Sequence, residues 1–159
     1  MDTVTYPTPA VEQFLSEHFH ALRVNVREPQ TGAIRELLRA TKPQWAPTFV
    51  FLDRAIELRR YTGWLPPADF LAELKFVLGL DDLLRQRFDD ATRRFRAAAD
   101  DDPSVSVAAE ALYWAGVAGY KMGGVEALRE GWAELTTRFP ESTWAKRADI
   151  FDVTMNDDR

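Results

Sequence analysis

Cysteine is missing altogether from the 159 residues of this chain. Its absence excludes disulfides, thiolate-bound zinc, iron–sulfur clusters and a thiol nucleophile within the polypeptide. Histidine is scarce, with His18 and His20 alone. No run approaches the ~18 uninterrupted apolar residues of a membrane helix. Nor does a charged start followed by an apolar stretch mark a signal peptide, so no membrane role and a cytoplasmic location are the expectations. A basic excess is lacking too: 20 Lys and Arg stand against 25 Asp and Glu, a net charge of −5. Nucleic-acid binders carry a clustered basic face that neutralises phosphates, so no nucleic-acid partner is expected. What is abundant is apolar: 46% hydrophobic residues, with five Trp and ten Phe. That composition supports a packed core and rules out wholesale disorder. The length suits one domain or two small ones.

The character of the chain changes near residue 80. Thr8-Pro9 reads as an N-cap with proline at the first helical position, and Val11, Phe14, Leu15 and Phe19 follow at helical spacing, predicting a helix over about 9–19. Leu22, Val24 and Val26 alternate with Ala21, Arg23 and Asn25, the period of a strand with one buried face. Ile34, Leu37 and Leu38 predict a second short helix, stopped by Pro43. Thr48–Leu52 is a continuous apolar run too short for a helix, which predicts a strand covered on both faces. Asp53-Arg54-Ala55 then turns the chain into a more polar strand, Ile56–Tyr61, suited to a sheet edge. Gly63-Trp64-Leu65-Pro66-Pro67 opens a helix from about Pro67. Three strands are few for a free-standing sheet.

Trp45-Ala46-Pro47-Thr48, followed by the Phe49–Leu52 strand and the Tyr61-Thr62-Gly63 turn, resembles the thioredoxin fold over about residues 1–78. The resemblance implies a cis Ala46–Pro47 bond. It also implies that Trp45-Ala46-Pro47 and Thr62-Gly63-Trp64 line a groove that holds extended substrate chains. One departure is decisive: family members carry a strand and a Cys-x-x-Cys helix start, both upstream of where Met1 stands, and Met1–Tyr6 looks like the stretch that follows that motif. The missing strand would lie between Leu22–Val26 and Phe49–Leu52. Either those two strands pair directly, which is preferred, or another chain completes the sheet as a homodimer.

From Leu78-Gly79 the spacing resembles a tetratricopeptide repeat. Leu78, Gly79, Phe88, Ala91, Phe95, Ala98 and Pro103 fall at the small and aromatic positions, and a second unit follows with Gly116, Gly123, Trp132, Leu135 and Pro140. Gly79 to Pro103 and Gly116 to Pro140 span the same interval. The pattern departs at Lys75 and Asp82 in the first unit, and at Leu112 and Gly119 in the second, where aromatic residues are usual. Glu141–Phe151 reads as a capping helix and Asn156–Arg159 as a frayed tail. The expected fold class is therefore α+β and mostly helical. Residues 1–78 form an incomplete thioredoxin-like sheet of about three strands, and residues 79–155 a tetratricopeptide-like bundle, sharing a continuous helix of about 67–85.

No metal or other cofactor and no catalytic set is expected. His18 and His20 have no carboxylate or cysteine to complete a metal site. Asp100-Asp101-Asp102 reads as a solvated turn with Asp102 capping the next helix, since Pro103 breaks any EF-hand spacing. Arg85, Arg87, Arg93, Arg94 and Arg96 read as an exposed face with acidic partners nearby. No Gly-x-Ser-x-Gly or phosphate-binding glycine loop occurs. The candidate peptide-binding residues are Trp45, Ala46, Pro47, Thr48, Tyr61, Gly63, Trp64, Tyr113 and Trp114. For the tryptophans at 45 and 64, and for Tyr113 and Trp114, packing in a core is the alternative. The expected role is redox-inactive protein or peptide binding, chaperone-like or stress-related. The competing expectation is the C-terminal part of a thiol–disulfide oxidoreductase whose Cys-x-x-Cys lies upstream of Met1.

Overall fold

A computed structural model describes residues 1, 3–28, 30–102 and 104–149. Its elements run α1 (Pro9–His18), α2 (Gly32–Thr41), β1 (Thr48–Asp53), β2 (Ile56–Thr62), α3 (Pro67–Leu84), α4 (Phe88–Asp100), α5 (Ala108–Arg138) and α6 (Thr143–Ala148). The chain is α+β and mostly helical, and it divides into two compact units, Met1–Pro67 and Ala68–Arg159. That division falls earlier than the boundary at 78 drawn from the repeats. The reason is that Ala72 and Phe76 of α3 belong to the same apolar core as Ala91 and Phe95 of α4.

In the first unit, α1 begins at Pro9 after Thr8, whose extended backbone suits an N-cap although its side chain caps nothing. The Thr8 hydroxyl donates instead to the Val4 carbonyl at 3.0 Å. Helix α2 ends where Lys42 turns left-handed (φ 44°) ahead of Pro43. The strand expected at Leu22–Val26 does not form: residues 19–25 carry no helix or strand, and Leu22 and Val26 are exposed. Alternation creates an apolar face, but a strand also needs a neighbour for its backbone groups, and among the described residues none pairs with this segment. The sheet is thus two-stranded, β1 antiparallel to β2, rather than about three-stranded. Its register runs from Thr48 opposite Thr62 through Phe51 opposite Arg59, then slips so that Leu52 faces Glu57. The extra residue, Leu58, is a bulge on β2. Covering of β1 on both faces is also corrected: its residues are half-buried and Leu52 is exposed, so each face is at most partly covered. One face carries an aromatic ladder in which Phe49 stacks on Tyr61 at 4.5 Å and Phe51 meets Phe19 at 5.8 Å.

The second unit is built on a repeated interlock. A side chain at Gly79 would meet Phe95 at 2.6 Å, and one at Gly116 would meet Trp132 at 2.6 Å. Phe76 packs on Phe95 at 5.3 Å, and Tyr113 stacks on Trp132 at 4.9 Å. The trio Phe76, Gly79 and Phe95 therefore returns thirty-seven residues later as Tyr113, Gly116 and Trp132. In each copy a glycine opens a helix surface and an aromatic ring from the facing segment enters it, a close-packed fit that alanine-lined helices permit. The second copy lies within α5, which bends where Gly124 leaves helical geometry (φ 71°, ψ −155°). Its two arms, 108–123 and 125–138, come so close that a Cβ on Gly131 would lie 2.9 Å from the Gly116 Cα. Helix α3 is continuous from Pro67 to Leu84. Helix α6 occupies Thr143–Ala148, with the Ser142 hydroxyl accepting from the Ala145 amide. The expected continuation to Phe151, the tail at Asn156–Arg159 and Pro103 lie outside the described residues.

Candidate peptide-binding site

The two segments flanking the open end of the β1–β2 hairpin come together through their backbone. The Ala46–Pro47 bond is cis, and the Pro47 carbonyl accepts from the Gly63 amide at 2.9 Å. The Thr48 hydroxyl donates to the Trp45 carbonyl at 2.6 Å and lies 3.3 Å from the Thr62 hydroxyl. Gly63 holds φ at +105° with open space where a Cβ would sit, so its backbone angle, not crowding, calls for glycine. Trp45-Ala46-Pro47-Thr48 and Thr62-Gly63-Trp64 thus run side by side. Each ends in an exposed indole: Trp45 is 72% and Trp64 52% exposed. Neither tryptophan is buried. Tyr61 lies behind them, stacked on Phe49.

A groove of about 330 Å³ adjoins Trp45 and Ala46 and is completed by Val26, Leu38, Pro43 and Gln44. The sequence reading missed these four residues. Leu38 was legible as the last apolar position of α2 before Pro43, but Val26 was assigned to a strand. The lining is apolar apart from Gln44, whose amide donates to the Lys42 carbonyl at 3.0 Å. No lining residue is titratable, so the groove offers contact area and backbone groups rather than proton transfer.

Tyr113 and Trp114 do not join this constellation. They pack on the helical core, where Tyr113 also meets Trp144 at 5.1 Å and its carbonyl accepts from the Trp132 indole at 3.1 Å. The arginine stretch is paired as expected. Arg87 and Arg94 reach the buried Asp82 at 2.6 and 2.7 Å, Arg85 reaches Asp81 at 2.9 Å, Arg96 reaches Glu134 at 2.8 Å, and Arg93 pairs with Asp90. Asp82 therefore anchors a buried ion-pair network.

Asp102 does not cap α5, which begins at Ala108. It accepts from the Ser104 amide and hydroxyl at 2.9 and 2.6 Å, and these bonds hold its carboxyl below the ordinary range. Lys75 lines a second cavity of about 260 Å³ with Ala68, Leu71, Ala72, Asp101, Asp102 and Val105, and burial pushes its amine below the ordinary lysine value. His18 rests against Phe14 at 4.5 Å, and both histidines are exposed. Among the described residues no three His, Asp or Glu gather as metal ligands, and no helix is long and apolar enough to cross a membrane. Compared with protein-family models, curated proteins and solved structures, the chain matches none.

Proposed function

We propose that this chain is a redox-inactive, non-catalytic protein-binding module, thioredoxin-like in its first unit and tetratricopeptide-like in its second. It holds extended apolar segments of client polypeptides, in a chaperone-like or stress-related role. The observation that carries the reading is the pair of exposed indoles, Trp45 and Trp64, on two backbone-linked segments at the end of one hairpin. Indoles supply large, rigid contact area with a polar tip, the chemistry that dominates protein contacts. The cis bond before Pro47 and the thirty-seven-residue return of the glycine–aromatic interlock support the two likenesses.

The test is Trp45→Ala with Trp64→Ala, assayed by suppression of aggregation of an unfolded client and by calorimetric titration with apolar peptides. Truncating a central aromatic anchor costs about 2 kcal/mol or more, so the double variant should bind at least about thirtyfold more weakly. A double variant that holds clients as well as the parent sinks the reading.

A further inference from the structure

The two edges of the β1–β2 hairpin are chemically unlike. On β2, the bulge at Leu58 breaks the ladder, and Glu57 and Arg60 form an ion pair at 2.6 Å beside Arg59. Bulges and charges are the devices that keep a sheet edge from pairing. On β1 neither is present: Thr48-Phe49-Val50-Phe51-Leu52 carries no charge, proline or bulged residue, and Asp53 stands only at its end. Among the described residues no third strand pairs with it. A two-stranded hairpin is marginal in water, whereas a longer sheet with one apolar face is not. The first unit has little else to hold it, since Val11 is its one fully buried hydrophobic residue among those described.

We propose that the outward edge of β1, formed by Thr48, Val50 and Leu52, pairs antiparallel with the same edge of a second copy of this chain, with Val50 opposite Val50. The register follows from the backbone. The Pro47 carbonyl faces β2, so by strand alternation Phe49 and Phe51 also turn their backbone groups toward β2, while Thr48, Val50 and Leu52 turn theirs outward. Centring the twofold axis on Val50 sets Thr48 against Leu52 of the second copy and uses all three outward residues. It also sets Phe49 against Phe51 of the second copy, twice, extending the ladder that begins at Tyr61, and it brings no like charges together.

A second copy is favoured over other occupants because this edge is self-complementary and offers no charge for a charged partner to read. Pairing β1 on β1 closes as a twofold, whereas β1 on β2 would propagate without end and meets the guarded edge. Three outward residues alone fall short of the ~1,200 Å² of a stable interface. Antiparallel pairing, however, lays the turn end of one hairpin, with Leu52 and Ile56 exposed, beside the Trp45 end of the other.

The absence of native cysteine makes a clean test available. Directly opposed residues in such a pair have Cα atoms about 5.5 Å apart, within disulfide range. The full chain carrying Val50→Cys should form disulfide-linked dimers in a thiol redox buffer. Thr48→Cys, whose two copies would lie about 13 Å apart along the strands, should form at least about tenfold fewer. In parallel, Val50→Lys and Val50→Glu should each sediment as monomers and return to dimer when mixed, with helical circular dichroism reporting that each still folds. A parent chain that sediments as a monomer, or equal cross-linking at positions 48 and 50, overturns the proposal. Self-pairing and client holding separate cleanly: a dimer that holds no client overturns only the binding reading, and a monomer that holds clients overturns only this one.

Discussion

Gly79 and Gly116 each make room for one ring, and the two do so with almost the same geometry. Adding a Cβ at Gly79 would place it 2.6 Å from the Phe95 ring, and at Gly116 2.6 Å from the Trp132 indole. Both rings belong to buried residues and have nowhere to move, so Gly79→Ala and Gly116→Ala should each cost about 1–3 kcal/mol by overpacking. Gly119 is the control, because its nearest neighbour would be 3.7 Å away. There Gly119→Ala should be neutral or stabilise by up to about 1 kcal/mol through helix propensity. Urea melts of the three variants compare the effects directly, and a loss at 119 equal to that at 79 would contradict the interlock.

Lys75 gives a pH signature at the same scale. Burial lowers its pKa in the folded chain, so the unfolded chain binds the extra proton over the interval below the ordinary lysine value. Stability must then rise as pH climbs through that interval, and the charged amine must cost stability at neutral pH. Its pairing with Asp101 offsets little, since that carboxylate is largely exposed. Lys75→Met should flatten the alkaline rise and gain up to about 1 kcal/mol at pH 7, measured as melting temperature against pH.

At the scale of elements, the bend in α5 turns one long helical sequence into a packed pair. Gly124 sits at φ 71° and ψ −155°, a region that is essentially glycine-only. Gly124→Ala should therefore cost about 1–3 kcal/mol and loosen the Tyr113–Trp132 stack, seen as loss of near-ultraviolet aromatic circular dichroism. The repeat was legible in the equal intervals from Gly79 to Pro103 and from Gly116 to Pro140, whereas the matching of Gly116 to Trp132 as Gly79 to Phe95 appears only in the fold. The pattern did not show that the turn would shrink to a single residue, since Gly123 and Gly124 look alike in the sequence. The hairpin was legible for a similar reason: Phe49–Leu52 and Ile56–Tyr61 are adjacent and meet through a short turn. Leu22–Val26 has the right period and still forms no strand, because period reports a side-chain face and says nothing of where a backbone partner will come from. Among the site residues, Trp45, Pro47, Thr48, Gly63 and Trp64 are local to that hairpin and were readable. Leu38 and Val26 reach the groove only through the fold.

Across the whole molecule, buried apolar surface is divided very unevenly. Every fully buried hydrophobic residue described except Val11 lies in Ala68–Arg159, from Phe70 to Ala148. The first unit relies instead on half-buried aromatic contacts and on a few long hydrogen-bonded ties, such as the Thr5 hydroxyl donating to the Leu65 carbonyl at 2.8 Å. Local opening free energy follows buried apolar contact, so the two units should differ in dynamics. In native-state hydrogen exchange, the amides in the middle of α3, α4 and both arms of α5 should exchange at least about a hundredfold more slowly than those of α1 and α2. Uniform protection across both units would refute that division. Within the first unit, edge pairing by a second copy would leave a distinct mark. The outward amides of Val50 and Leu52 would gain protection as protein concentration rises, while those of α2 would not. Concentration-dependent protection confined to β1 is the pattern that joins the poor core of the first unit to the unguarded edge beside it.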